Sequence, residues 1–302
     1  MEKYIGKVIR IDLDLYYVYI EDLANSVSAK VRGNQKKKGN VLVGDIVEVE
    51  KVDNDYMISN VRNRVNSIIR PPVSNIDQMI IVVSVGEPVP DYILLDKQIV
   101  LCMAKGIKPI ICVNKIDLSE DNSKAKEDIE YIKRVYSSLG IEIIFMSAKK
   151  EFGLKDLVKI LKGKTSAFSG NSGVGKSSIT RKIIGEEEEK IEVGDIGKKS
   201  GRGKHTTKSV RIYSLDSVSF ILDTPGFSSY ELYDIEYDEL TNYYPEFNRI
   251  KCLYDDCVHV TEGIDVCNVK KELEKNNIDK GRYERYVYIY TKLKEQYDKK
   301  YK

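Results

Sequence analysis

The chain has 302 residues, 42% of them hydrophobic and 32% charged, which is an ordinary composition for a soluble globular protein. A formal net charge of only +2 argues against a histone-like nucleic-acid binder, although local basic patches can still contact phosphate groups. No apolar stretch is long enough to cross a bilayer, and no signal peptide is recognisable, so we expect a soluble, cytoplasmic protein that does not bind membranes.

Residues 1–68 show the alternating apolar and polar pattern of short strands separated by turns. The predicted strands cover residues 4–11, 16–20, 27–31, 45–52 and 56–61. Five short strands fit a small Greek-key barrel, and the pattern alone leaves an OB-like and an SH3-like barrel open. Candidate nucleic-acid contacts are Tyr16, Tyr17, Tyr19, Arg32, Lys36, Lys37 and Lys38. Packing of the rings and solvation of the lysines are the simpler interpretations.

An apolar run over residues 109–113 is typical of a strand in a parallel sheet that is covered on both faces. It leads directly into Asn114-Lys115-Ile116-Asp117, which would lie at the carboxyl end of that strand, where ligands bind in open α/β sheets. The Asp117 carboxylate can accept hydrogen bonds from N1–H and the N2 amino group of guanine, a donor pair that adenine lacks. The tetrapeptide therefore predicts selection of GTP over ATP.

A second predicted strand, over residues 141–145, precedes Ser147, Ala148 and Lys149, which resemble the base-contacting loop of GTPases. The tripeptide alone is a weak signal. It follows Asn114 by roughly thirty residues, with a helix predicted over 123–139 between them, and this is the interval of one βαβ unit. We therefore predict that these residues contact the same base.

Residues 170–177 fit the pattern G-x-x-x-x-G-K-S between a predicted strand, 165–168, and a predicted helix, 178–184. In such a phosphate loop (P-loop) the backbone N–H groups cradle phosphates, Lys176 reaches the β- and γ-phosphates, and the Ser177 hydroxyl meets Mg²⁺. The helix dipole also favours the phosphates. The predicted phosphate-binding residues are Gly170, Asn171, Ser172, Gly173, Val174, Gly175, Lys176, Ser177 and Ser178.

Asp223-Thr-Pro-Gly226 closes a strand predicted over residues 218–222. Asp223 would hold Mg²⁺ through water, and the Gly226 N–H would contact the γ-phosphate. Phe227 follows, whereas Ras-like enzymes carry a glutamine near this point that orients the attacking water, so slow intrinsic hydrolysis is predicted.

The segment 198–207 is rich in glycine and positive charge, and we expect ligand to order it. Either Thr206 or Thr207 would complete the Mg²⁺ shell, and the sequence does not choose between them. Along the chain the guanine-reading motif precedes the phosphate loop. This order predicts a circularly permuted GTPase of the α/β class.

Three cysteines and a histidine form the pattern C-x4-C-x-H-x7-C, made of Cys252, Cys257, His259 and Cys267. Three thiolates and one imidazole suit a closed tetrahedral Zn²⁺ site, which would be structural because no coordination position is left open. Unliganded buried cysteines are the alternative, and disulfides are the weaker explanation because thiols stay reduced in the cytosol. Cys102 and Cys112 lie in apolar patterns and are predicted core residues.

The C-terminal region is rich in tyrosine and charge and ends in a predicted helix near residues 281–301. Four of its tyrosines recur at helical intervals, which predicts packing first and RNA contacts second. They are Tyr283, Tyr286, Tyr290 and Tyr297.

With these motifs in place, almost the whole chain resembles the ribosome small-subunit-dependent GTPase A family (RsgA, also called YjeQ), which are circularly permuted GTPases. The resemblance includes Gly203-Lys-His-Thr-Thr207, Asp223-Thr-Pro-Gly-Phe227, the entry segments 70–72 and 75–78, and the cysteine cluster. The spacing from His259 to Cys267 is slightly longer than expected for the family, and the C-terminal helix is richer in Tyr and Lys.

The resemblance implies an OB-like barrel over residues 1–68, a permuted GTPase domain over 69–230 and a helical zinc-binding domain over 231–302. It implies GTP hydrolysis to GDP and phosphate in late maturation of the small ribosomal subunit, with that subunit and its rRNA as partners of a monomeric protein. Docking on the subunit would activate hydrolysis, and the protein would then leave. By resemblance, His205 positions the hydrolytic water, and contact with rRNA or phosphate is the alternative role for this residue.

Two other functions remain open at this point. One is an RNA-binding assembly module that keeps nucleotide as a structural ligand, although the presence of Lys176 and Asp223 favours hydrolysis. The other is a permuted GTPase that acts on the large subunit or in another process. The barrel and the cysteine cluster on either side of the GTPase motifs favour the small-subunit function.

Overall fold

The computed structural model describes residues 2–33, 39–185, 210–223, 232 and 234–300. Within these ranges there are thirteen strands and six α-helices. Several residues singled out above lie outside the described ranges, namely Lys36, Lys37, Lys38, His205, Thr206, Thr207, Gly226 and Phe227.

The strands are β1 Glu2–Asp12, β2 Leu15–Ile20, β3 Asn25–Val31, β4 Ile46–Val52, β5 Asp55–Val61, β6 Ser67–Ile68, β7 Val73–Ser74, β8 Gln78–Ser84, β9 Lys108–Asn114, β10 Glu142–Phe145, β11 Thr165–Ser169, β12 Arg211–Ser214 and β13 Phe220–Asp223. The α-helices are α1 Tyr92–Lys105, α2 Ser123–Ser137, α3 Leu154–Leu161, α4 Lys176–Ile184, α5 Asn268–Glu274 and α6 Lys280–Lys300. Short 3-10 helices cover Glu21–Leu23, Ile116–Glu120 and Leu240–Tyr243.

Strands β1 to β5 form a closed barrel in the order β1-β2-β3-β5-β4, in which β3 and β5 are parallel. Alternate side chains fill its interior because successive residues of a strand point to opposite faces. Val8, Val18, Ile20, Val47 and Ile58 are all 0% exposed. This five-stranded closed barrel confirms the OB-like prediction.

A six-stranded sheet in the order β10-β9-β8-β11-β13-β12 forms the centre of the described structure. Its first five strands are parallel, and β12 pairs antiparallel with β13 at one edge. Every residue of β8 is buried, as expected for a central strand with both faces covered. The last strand begins at Phe220 rather than at the predicted residue 218, because the Asp216 carboxylate accepts hydrogen bonds from the backbone of Val218 and Ser219 and closes a turn there.

The barrel meets the amino ends of two sheet strands. Lys7 of β1 donates to the Thr165 hydroxyl at the start of β11, and its ammonium lies 4.4 Å from the centre of the Phe220 ring at the start of β13. Burial lowers the pKa of Lys7. The Tyr19 ring also packs edge-on against Phe220 at 5.8 Å, so this ring makes a packing contact between the barrel and the sheet.

A buried carboxylate fixes the exit from the barrel. Asp45 is 0% exposed and accepts hydrogen bonds from Arg64 Nε at 2.7 Å and from the Ser74 hydroxyl at 2.6 Å. Ser74 belongs to the ribbon of β6 and β7, which spans the predicted domain boundary at residue 68. The hydrogen bonds of the Asp45 carboxylate therefore hold the segment that follows the barrel in place, and its buried charge is paired with Arg64.

The C-terminal helix α6 packs on α1 through a second buried charge network. Asp96 of α1 is 0% exposed, and its two oxygens accept from Arg282 Nη1 and Arg285 Nε, each at 2.5 Å. Arg282 also pairs with Glu246. Removing one partner of such a network would leave an uncompensated buried charge, so these residues specify where α6 lies.

Aromatic rings also pack α6 against the segment 237–244. Tyr286 packs edge-on against Tyr244 at 4.8 Å, and Tyr290 and Tyr297 both pack against Tyr237. The periodic tyrosines of α6 thus make packing contacts, as their spacing predicts. Among the described residues, no helix combines the length and the apolar character needed to span a membrane.

Candidate active site and metal centre

The loops that carry the nucleotide motifs follow the carboxyl ends of neighbouring parallel strands. Strand β9 ends at Asn114, β10 at Phe145, β11 at Ser169 and β13 at Asp223. The β13 backbone at Asp223 lies opposite Phe168, close to the start of the phosphate loop. Carboxyl ends of parallel strands meet at one edge of a sheet, so the sheet gathers motifs that are far apart in sequence.

The side chain of Asn114 joins the predicted guanine-binding and phosphate-binding loops. It is 2% exposed, its Nδ2 donates to the Val174 carbonyl at 2.9 Å, and its Oδ1 accepts from the Ala148 N–H at 3.0 Å. A Cβ at Gly175 would lie 2.3 Å from Asn114 Nδ2, so only glycine allows this approach. One amide therefore sets the relative positions of the loops at 114–117, 147–149 and 170–177.

The Asp117 carboxylate is fixed by a neighbouring loop. Ser147, which is 1% exposed, donates from Oγ to Asp117 Oδ1 at 2.6 Å. The same Ser147 oxygen accepts from the Lys150 N–H at 3.0 Å. The 3-10 helix that carries Asp117 begins after Lys115, a residue in the left-handed conformation with φ of 65°. An acceptor held in this way is suited to reading the N–H donors of a base.

The phosphate loop is pressed against the central sheet. A Cβ at Gly170 would lie 2.1 Å from the Val82 carbonyl oxygen of β8, so the loop can pass this point only with glycine. Helix α4 begins at Lys176, and Ser177 and Ser178 are exposed in its first turn, where backbone N–H groups lack intrahelical partners. Lys176 Nζ lies 2.7 Å from the Asn171 carbonyl oxygen, which places the ammonium over the loop.

Residues between β8 and α1 contact this site and were not predicted. The Glu87 carbonyl accepts from Lys115 Nζ at 2.9 Å, and Asp91, which also caps α1, accepts from Asn171 Nδ2 at 3.2 Å. Further along α1, Gln98 Nε2 donates to the Ser169 hydroxyl at 2.5 Å. The only signal in the sequence is the short polar run Asp96-Lys97-Gln98 within the mostly apolar segment 93–104.

The four predicted zinc ligands converge on a single point. The ligand atoms of Cys252, Cys257, His259 and Cys267 all lie within 4.8 Å of one another. His259 Nδ1 is 3.6, 3.2 and 3.6 Å from the sulfur atoms of Cys252, Cys257 and Cys267, respectively. Tetrahedral zinc with ordinary Zn–S and Zn–N bonds separates such atoms by about 3.5 Å. The donor set and its spacing are therefore compatible with zinc.

The surroundings of the cluster are compatible with a metal site. Burial lowers the pKa of His259, which keeps the imidazole neutral, as a metal ligand requires. Burial also raises the pKa of the Cys257 and Cys267 thiols, so a bound metal ion would be needed to hold them as thiolates at neutral pH. The loop is held from outside by α6, because the Tyr283 and Tyr286 hydroxyls donate to the carbonyls of His259 and Val258. By contrast, Cys102 and Cys112 are buried in the core, and burial raises the pKa of Cys112 to about 12, so both are inert packing residues.

Comparisons with known proteins agree with this arrangement. Residues 61–233 match the family model described as RsgA GTPase. The curated "Small ribosomal subunit biogenesis GTPase RsgA" of Ruminiclostridium cellulolyticum is 39% identical over 93% of this chain and 90% of its own length. A protein of the same name from Caldanaerobacter subterraneus is 36% identical over the full length of both chains.

Two solved structures have the same architecture. The crystal structure of YjeQ from Thermotoga maritima superposes with a TM-score of 0.83 at 32% identity, covering 97% of this chain and 99% of that one. The structure of YloQ, described as a circularly permuted GTPase, has a TM-score of 0.80 at 30% identity and covers 98% and 96% of the two chains. On these grounds the chain belongs to the RsgA GTPase family, and it is a circularly permuted GTPase.

Proposed function

We propose that this GTPase acts as a cytoplasmic monomer in late maturation of the small ribosomal subunit, that docking on the subunit and its rRNA activates it, and that it leaves after hydrolysis. The observation that carries the nucleotide chemistry is the Asn114 amide, which joins the guanine and phosphate loops in one site. The barrel and the Cys3His module on either side offer docking surfaces. Full-length relatives named for small ribosomal subunit biogenesis support the choice of partner.

Within this proposal the base is bound by Asn114, Lys115, Asp117, Ser147, Ala148 and Lys149. The phosphates are bound by residues 170–178 and the Gly226 N–H. Magnesium would be held by Ser177, by Asp223 through water and by either Thr206 or Thr207. When bound, the ion would supply positive charge that offsets the negative charge of the phosphates.

The chain's own residues supply charge and position. The Lys176 ammonium and the N-terminus of α4 stabilise negative charge that develops on the phosphates. His205 holds the attacking water, a role that Phe227 cannot take because it has no hydrogen-bonding group. We infer that contact with the subunit brings His205 beside the γ-phosphate, which would account for activation of hydrolysis by that partner.

The Cys3His cluster binds one structural Zn²⁺ in this proposal. Four protein ligands leave no position for water or substrate, so the ion has a structural role. It cross-links the loop that connects the 3-10 helix Leu240–Tyr243 to the C-terminal helices. Most of its binding free energy then contributes to folding of the C-terminal module.

We expect isolated small ribosomal subunits to raise GTP turnover by at least about a hundredfold, a gain within the range of transition-state stabilisation that a partner can supply. Phosphate release at saturating GTP, with purified small or large subunits, measures this. Stimulation by the large subunit alone would contradict the proposed partner.

His205→Ala is expected to lower the subunit-stimulated rate about a hundredfold, because loss of one general-base or water-orienting group costs this much. The affinity for GDP should change less than twofold, since GDP lacks the γ-phosphate beside which the water is held. Ser200→Ala, in the same segment, is the control and should leave both values unchanged. An unaffected stimulated rate in the histidine variant would remove His205 from catalysis.

Asp117→Ala is expected to weaken GTP binding by at least about tenfold, because hydrogen bonds to a charged acceptor contribute more than neutral ones. Binding of ATP should stay unchanged, so the preference for GTP shrinks by the same factor. Competition titrations with a fluorescent GDP measure both affinities. The exposed neighbour Asp121 provides the control, and Asp121→Ala should bind like the unmodified chain.

Purified protein is expected to contain one zinc ion per chain, and its zinc affinity should fall as the pH falls. Burial raises the pKa of the Cys257 and Cys267 thiols, so protons compete with the metal, and affinity changes by about tenfold per pH unit for each thiol that must ionise. Elemental analysis after dialysis against a chelator at several pH values measures this.

Cys257→Ser should lose the metal and unfold the module, whereas Cys112→Ala, which changes a buried cysteine outside the cluster, should retain it. Equal zinc content in both variants would exclude the Cys3His site.

A further inference from the structure

Helix α1 is held by the phosphate loop on one side. Gln98, which is 1% exposed, donates to the hydroxyl of Ser169, the last residue of β11 and the one that precedes Gly170. Asp91, at the amino end of the helix, accepts from Asn171. Seven residues separate Asp91 and Gln98, which is about two turns, so both lie on the same face of the helix. That face therefore contacts the loop at two points.

The packing between this face and the loop leaves almost no free space. Leu94 and Leu95 lie between the two polar contacts and, with Val82, Gly170 and Val174, surround a cavity of about 10 Å³. A cavity of that size holds at most about one water molecule. Close-packed side chains transmit displacements because no empty volume absorbs them. A shift of α1 would therefore move the loop.

The C-terminal helix holds the other side of α1. Asp96 lies two residues before Gln98, roughly half a turn around the helix, and pairs with Arg282 and Arg285 of α6. Tyr136 of α2 also donates to Asp96 at 2.7 Å. All these partners are buried or nearly so, and buried ion pairs are sensitive to the loss of one member. The position of α1 is thus tied to that of α6.

We propose that Gln98 is a positioning residue for the phosphate loop and that the Arg285–Asp96 pair acts through it, so that the seating of the C-terminal helix sets nucleotide affinity. The Gln98 amide fixes the Ser169 hydroxyl at the end of β11, and this end determines the direction from which the Gly170 backbone enters the loop. The inference rests on the nucleotide site proposed above, because it assumes that residues 170–178 bind the phosphates.

The test is a titration of fluorescent GDP into the full-length chain and three variants, namely Gln98→Met, Arg285→Ala and the double variant. Methionine keeps the volume of Gln98 and removes only the amide. Each single substitution should raise the Kd for GDP by roughly fivefold, the change that about one hydrogen bond supplies. The double variant should be no weaker than Gln98→Met alone, because the arginine acts through the glutamine.

Steady-state hydrolysis gives a second readout. In each single variant the bound nucleotide should still hold the phosphate loop in place. The KM for GTP should therefore rise by the same factor as the Kd for GDP, and kcat should change by less than twofold. Thermal unfolding of every variant shows whether the chain is still folded, so a loss of affinity is compared only among folded proteins.

Two matched controls come from the same chain. Gln78 is 3% exposed and donates to Ser166 at 2.9 Å, which repeats the Gln–Ser contact at the opposite end of β11. Gln78→Met should cost stability without changing GDP affinity. Arg134 pairs with Asp279 at 3.0 Å and so ties the start of the C-terminal helix to α2 without involving α1. Arg134→Ala should also leave affinity unchanged.

Unchanged affinity in either single variant would overturn the proposal, as would effects that multiply to about twenty-five-fold in the double variant. Equal losses in the two control variants would overturn it as well, because affinity would then follow stability. If the unmodified chain failed to bind GDP, the proposed nucleotide site would fall together with this inference. If the unmodified chain binds GDP and the Gln98 and Arg285 variants bind it equally well, only the proposed coupling between α6 and the phosphate loop is refuted.

Discussion

The nucleotide site depends on one buried amide. Asn114 uses its donor to hold the phosphate loop at Val174 and its acceptor to hold the loop at Ala148, so two chain segments that are far apart in sequence share one anchor. Replacing it would leave polar groups on both loops without their partner in a place that water barely reaches. The Asp117–Ser147 hydrogen bond lies in the same two base-side loops, and Gly175 lets the phosphate loop approach the Asn114 amide.

The two flanking modules are attached to the GTPase domain at sites away from this amide. Parallel strands gather the nucleotide loops at their carboxyl ends, whereas the barrel meets the amino ends of β11 and β13 through Lys7 and Tyr19. The C-terminal module is fixed from the side, by the buried charges around Asp96. The barrel therefore lies at the opposite end of the sheet from the nucleotide loops, and the C-terminal module contacts the helix α1.

Much of this was predictable from the sequence because the signals are local. The apolar run before Asn114, the glycines at 170 and 175 and the cysteine spacing each have one dominant physical interpretation. What the sequence could not predict is long-range pairing. Asp96 and Gln98 belong to the short polar run Asp96-Lys97-Gln98 in a mostly apolar helix, and only the fold supplies Ser169 and the two arginines as partners. For Tyr19, alternation predicts a strand position but cannot identify Phe220, about two hundred residues later, as its neighbour.

The permuted chain order has a mechanical consequence. In this chain only the eight residues 224–231 separate the end of β13 at Asp223 from Leu232, which is part of the buried core. The peptide that carries the proposed γ-phosphate contact is therefore also the covalent link to the C-terminal module, which contains the Cys3His cluster.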